Sequence, residues 1–201
     1  VAAAYIAGGV LFGVLLFTAL SRLLTTPAPS TTASDAPEAP PAPGTPAPPE
    51  KAVPRIKATL FFASEDGLRL VPTEAEVPLA EGVVAQARSI VEAQLATAAP
   101  PPLASTIPQG STLRGIFISQ RNEAFVDLDP AIRSAHPGGT LQELMTVYTI
   151  VNALLTNLPT LQEVQILIGG QEVDTLAGHV DLRRPLRKNE GLILSSVTPR
   201  P

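Results

Sequence analysis

Residues 107–129 read IPQGSTLRGIFISQRNEAFVDLD and hold the acidic side chains Glu123, Asp127 and Asp129 close together. Two carboxylates that face one cleft in different protonation states can divide general acid and general base work between them, as in glycan hydrolysis. On an extended strand Asp127 and Asp129 are two positions apart and share a face. A second reading needs no chemistry. Asp129 stands directly before Pro130, and Asp-Pro opens a short helix with the carboxylate as N-cap and proline in the first turn. The link QRNE between two apolar strands places Asn122 and Glu123 in a tight turn. The turn and cap reading is the expected one.

The other candidate groups are sparse. The histidines are His136, in HPGG, and His179, in GHVD, and neither has a second ligand at metal-binding spacing. Ser105, Ser111 and Ser119 are present, but no Gly-x-Ser-x-Gly elbow surrounds them, and no glycine-rich phosphate loop occurs. Asn152 is unusual inside an apolar helical pattern and is expected to bond a neighbouring strand or loop. No catalytic, cofactor-binding or metal-binding residue is assigned, and no cofactor is expected.

The elements that would position these groups differ along the chain. Val1 to Ser21 carries no charged side chain and as a helix covers roughly 30 Å, the thickness of a bilayer's hydrocarbon core, so residues 1–24 are expected to be an uncleaved transmembrane anchor. Gly9 and Gly13 in this span form a weak G-x-x-x-G contact pattern. Residues 25–54 hold ten of the chain's 22 prolines and nothing able to form a core; they are expected to be a disordered or polyproline linker reaching up to roughly 90 Å. Residues 55–197 have the composition of one soluble domain. The chain has no cysteine, which excludes disulfides, thiolate chemistry and lipidation of a cysteine. Its formal charge is −4, and the basic residues Arg183, Arg184, Arg187 and Lys188 form a short cluster without aromatic neighbours, so no nucleic-acid partner is expected.

Within the domain, IKATLFFAS and LRLVPTEAEVP read as a hairpin across an EDG turn. EGVVAQARSIVEAQLATAA places Val83, Val84, Ala87, Ile90, Val91 and Leu95 at helical spacing. STLRGIFIS and AFVDLD form a second strand pair. TLQELMTVYTIVNALLTNLP is a second amphipathic helix, with Thr140 and Glu143 at capping-box spacing. EVQILIG is a strand, Gly169-Gly170 a turn, and EVDTLAGHVDL an extended return. The order β-β-α-β-β-α-β-β predicts an α+β fold, a mainly antiparallel sheet with two helices on one face.

Residues 57–186 also resemble a known family. The step Ile107-Pro108-x-Gly110, the strand end Val126-Asp127-Leu128, the helix stretch Ile150-Val151-Asn152 and the strand and turn from Val164 to Gly170 are similar, in order and spacing, to the GerMN domain of sporulation and spore-germination proteins. Asp129 stands where the family usually has Ser, and Ala153 where it often has Thr. The resemblance implies a non-enzymatic module of cell-envelope assembly or remodelling, single-pass in the membrane with its C-terminal domain extracytoplasmic. Envelope proteins or peptidoglycan are the implied partners, with the membrane held through the N-terminal helix and a homo-oligomer as a further possibility. The alternative function is an envelope hydrolase acting on cell-wall glycan or peptide.

Overall fold

The structure, a computed structural model, describes residues 53–194. The expected membrane span and nearly all of the expected linker lie outside the described residues. No described helix is long and apolar enough to cross a membrane.

Strands β1 (Arg55–Ala63) and β2 (Leu70–Pro78) form an antiparallel hairpin, followed by helix α1 (Val83–Ala96). Strands β3 (Leu113–Ile118) and β4 (Glu123–Leu128) pair antiparallel, with Asn122 at φ 60° in their turn, the backbone state that Asn tolerates and most residues avoid. The short helix α2 (Ala131–Ser134) and the long helix α3 (Thr140–Asn157) then cross over to β5 (Glu163–Ile168). Because that crossover is helical, β5 returns parallel to β4, with Val126 opposite Ile166. A two-residue β6 (Gln171–Glu172) completes a four-stranded sheet of order β3-β4-β5-β6.

The α+β class and the strand and helix order agree with the sequence reading, and the pairing is antiparallel apart from β4–β5. The strands form two sheets where a single one was expected. Two side chains account for the division. The β1 edge that would continue the sheet is occupied by the amides of Gln94 and Asn157, which bond the backbone of Phe61 and Thr59.

The larger core lies between the four-stranded sheet and both helices. Ala124, Val126 and Leu128 of β4 and Val164, Ile166 and Ile168 of β5 alternate inward, against Val91 of α1 and Val147, Ile150, Val151 and Leu154 of α3. A second cluster packs the hairpin residues Ala58, Phe61, Leu70 and Val77 against Ile90, Met145 and Ala153. At 100° per residue, Met145 and Ala153 project from a different side of α3, centred about 130° from the direction of Val147, Ile150 and Leu154. Helix α3 is therefore enclosed on two sides, and each fully buried aliphatic side chain contributes about 1.5–3 kcal/mol. Ala153, the family departure noted above, sits in the smaller cluster, fully buried against the hairpin.

Three sequence expectations are corrected. Val83 and Val84 lie in the first turn of α1 and are 41% and 44% exposed, because the helix meets the sheet only from Ala87 onward. Thr140 and Glu143 form no capping box: Gly139 is the N-cap with no side-chain bond, and the Glu143 carboxylate turns into the core. The return after Gly170 is a strand only at Gln171–Glu172; the remainder is loop, held by side chains described below.

Candidate functional site

The acidic stretch resolves into separate structural bonds. Asp127 is buried at the sheet's outer face, where its carboxylate accepts from Arg114 Nε at 3.2 Å and from the Gly170 N–H at 2.7 Å. It thereby ties β3, β4 and the Gly169-Gly170 turn together. Asp129 accepts the Ala131 N–H at 2.9 Å, the bond of a helix cap, and Pro130 already has helical angles. Glu123 accepts from Ser119 Oγ and Arg121 at 3.3 Å across the β3–β4 turn. Neither Asp127 nor Asp129 bonds to a histidine.

The two histidines sit in other networks. The His136 ring accepts the Gly138 N–H at Nδ1, so Nε2 carries the proton and donates to Thr146 Oγ1 at 3.1 Å. Thr146 in turn bonds the Thr106 carbonyl, and the Thr106 hydroxyl meets that of Thr149 at 2.8 Å. This chain of bonds fastens the 105–107 loop to α3. Beside it is a hollow of about 190 Å³ between Ser105, Thr106, Pro137, Leu141 and Met145. Ser105 and Ser111 bond the nearby carbonyls of Ile107 and Pro108.

His179 donates from Nδ1 to Glu143 Oε2 at 3.1 Å. The fully buried Glu143 carboxylate also accepts the N–H groups of Leu176, Ala177 and His179 at 2.8–2.9 Å. Burial pushes its pKa up, but the N–H groups of Ala177, Val180 and His179 and the His179 ring outweigh burial, so the acid stays below the usual carboxylate range. This residue anchors the long return loop, and the sequence reading placed it elsewhere. Asn152 has the structural role expected of it: Oδ1 accepts the Asn189 N–H at 2.9 Å and Nδ2 donates to the Asn189 carbonyl at 3.2 Å. In the basic cluster, Arg183 pairs with Asp181 and Arg187 with Glu163, both at the surface. Among the described residues, no group of three or more His, Asp and Glu is placed to hold a metal ion.

The strand edges are less evenly treated than the acids. On β1, Asn157 bonds both backbone groups of Thr59 at 2.7 Å, Gln94 bonds both of Phe61 at 2.8–2.9 Å, and Ala63 pairs with Ala104. On β2, the Leu70 carbonyl takes the Leu194 N–H, the Glu76 carbonyl takes Arg55, and the alternation places Pro72 and Pro78, which lack an N–H, at outward positions. On β5, Val164 pairs with Leu186. Strand β3 has no such cover among the described residues. Ser119 donates to the Glu123 carbonyl, so Ser119 and Phe117 turn their backbone groups to β4, while those of Ile116 and Ile118 turn away from it. Phe117, next to the C-terminal end of this edge, is 62% exposed, the most of any large hydrophobic side chain described.

The geometry can be set beside known proteins. The profile of the Germane family, described as sporulation and spore germination, matches residues 59–174, more than half of the chain. The chain belongs to the Germane family. The GerMN resemblance read from the sequence is thus confirmed, and the match runs from the middle of β1 through both long helices and the four-stranded sheet. Two solved structures share the Germane fold seen here. One holds the tandem GerMN domains of the sporulation protein GerM from Bacillus subtilis (16% identity, TM-score 0.52, covering 68% of this chain and 46% of that one). The other is the first GerMN domain of the same protein (15% identity, TM-score 0.53, covering 68% of this chain and 98% of that one). Comparison with curated proteins gives no match.

Proposed function

We propose that this chain is a non-enzymatic module of cell-envelope assembly or remodelling, tethered to the membrane by residues 1–24 and holding protein or peptidoglycan partners outside the cytoplasm. The observation that supports it is the engagement of every group that could do chemistry in the 107–129 stretch. Asp127, Asp129 and Glu123 each serve a turn, a cap or a strand junction, and none faces a histidine. A hydrolytic pair needs two carboxylates free to exchange protons with a substrate across one cleft. Membership of a sporulation and germination family and an apolar N-terminal stretch long enough to span a bilayer point the same way.

The test is made in intact cells. A reporter active only outside the cytoplasm, fused at the C-terminus, is expected to be active, and chemical crosslinking is expected to recover envelope proteins or wall fragments with the chain. A reporter active only in the cytoplasm, or crosslinks confined to cytoplasmic proteins, would overturn the proposal.

A further inference from the structure

The edge of β3, uncovered among the described residues, can pair with itself. An edge strand with free N–H and C=O groups pairs with another strand unless prolines, charges or side-chain caps prevent it. Such devices guard β1 and β2, as described above; on β3 a bulge interrupts the register between Leu113 and Gly115, and from Gly115 to Ile118 no proline, charge or side-chain cap is present among the described residues. The strand has one charged residue, Arg114, whose guanidinium is already bound to Asp127.

We propose that β3 pairs antiparallel with β3 of a second copy of this chain, about a two-fold axis passing through Phe117, so that the two four-stranded sheets become one. The register follows from the backbone. Placing Phe117 opposite its own copy sets Ile116 against the other copy's Ile118, and these are the residues whose N–H and C=O groups point outward. They form the hydrogen-bonded pairs on either side of the axis. Phe117, whose backbone groups face β4, falls at the non-hydrogen-bonded pair, where opposing side chains approach most closely, Cβ to Cβ roughly 4.5–5.5 Å. The most exposed large hydrophobic of the described residues is thereby buried against itself as an aromatic pair.

The same register meets no charge conflict at the axis, because the stretch from Gly115 to Ser119 holds no charged side chain. It brings the other copy's turn beside the start of β3, where Glu92, Leu95, Thr112 and Leu113 line a groove of about 320 Å³. Arg121 of that turn is paired with Glu123, and Glu92 with Arg88, within each copy. An isologous contact of this kind closes as a dimer and leaves no free β3 edge. The inference goes beyond the envelope reading and does not depend on it, since the pairing needs only two folded copies.

The chain has no cysteine, so a single cysteine reports one position. F117C in the full-length chain, under mild oxidation, is expected to give a disulfide-linked dimer. L68C, at a residue 55% exposed on the β1–β2 turn, is the control and is expected to stay monomeric. F117E and F117K, each alone, are expected to raise the dimer dissociation constant about tenfold or more, and mixing the two is expected to restore association. Circular dichroism checks that each variant is folded. Three outcomes would overturn the proposal: equal crosslinking of F117C and L68C, no rescue on mixing, or F117C captured in cells only by a different polypeptide. The last would assign the edge to that partner.

Discussion

Replacing Glu143 by Gln examines the least expected feature of the domain, a fully buried carboxylate that holds a loop 33–36 residues away in sequence. Glutamine keeps Oε1, which can still accept from Leu176 and Ala177, but sets an NH₂ against the His179 N–H and ring Nδ1–H. Hydrogen bonds to a charged group are each worth about 1.5–3 kcal/mol, and two are lost, so E143Q is expected to lose about 3–6 kcal/mol at pH 7. The pH dependence sharpens the test. The native carboxyl lies below its ordinary value of 4.5. Its contribution is therefore fully present above the unfolded value and is lost as pH falls through the folded one. Urea denaturation of wild type and E143Q between pH 7 and pH 3 should show a gap that is constant above about pH 5 and narrows below it. A gap under about 1 kcal/mol at pH 7, or one that does not narrow in acid, would refute the assignment of Glu143 as an ionised anchor.

Three further outcomes follow from the same geometry. Q94A or N157A should each cost about 1–3 kcal/mol and expose the backbone of Phe61 or Thr59, read as faster amide hydrogen exchange at those residues alone. N152A should cost about 2–3 kcal/mol by leaving both Asn189 backbone groups without their partner, whereas N152D, which keeps the acceptor, should slow exchange at the Asn189 amide relative to N152A. D129A should lose about 1 kcal/mol as a helix cap and D129S should recover most of it, measured by thermal unfolding; no difference between the two would remove the cap role.

The parts of the fold that follow local periodicity were readable in the sequence. The alternation through Ala124, Val126 and Leu128 and the stripe from Met145 to Leu155 gave the elements their type and order, and Asp129-Pro130 gave the cap. The division into two sheets was not readable, because it depends on Gln94 and Asn157 reaching a strand that is 33 and 98 residues distant. A glutamine in an apolar helical pattern is the faint signal available. Glu143 misled for a related reason: Thr-x-x-Glu fits a local capping box, but the tertiary loop supplied more N–H donors than the helix end could. Val83 and Val84 met the helical spacing but not the sheet, since spacing fixes a face and not where contact begins. The family resemblance rested on strand ends and turns, Ile107 to Gly110 and Val164 to Gly170, whose backbone demands leave few residue choices.

The account's central claim is that the domain holds partners and breaks no bond, and turnover of purified cell wall tests it most directly. Full-length chain incubated with purified peptidoglycan, with soluble fragments quantified by mass spectrometry, is predicted to release none above buffer, and the D127N/D129N variant is predicted to behave identically. Release of glycan or peptide fragments by the wild type, abolished in D127N/D129N with its fold intact, would contradict the claim and make the 107–129 stretch an active site.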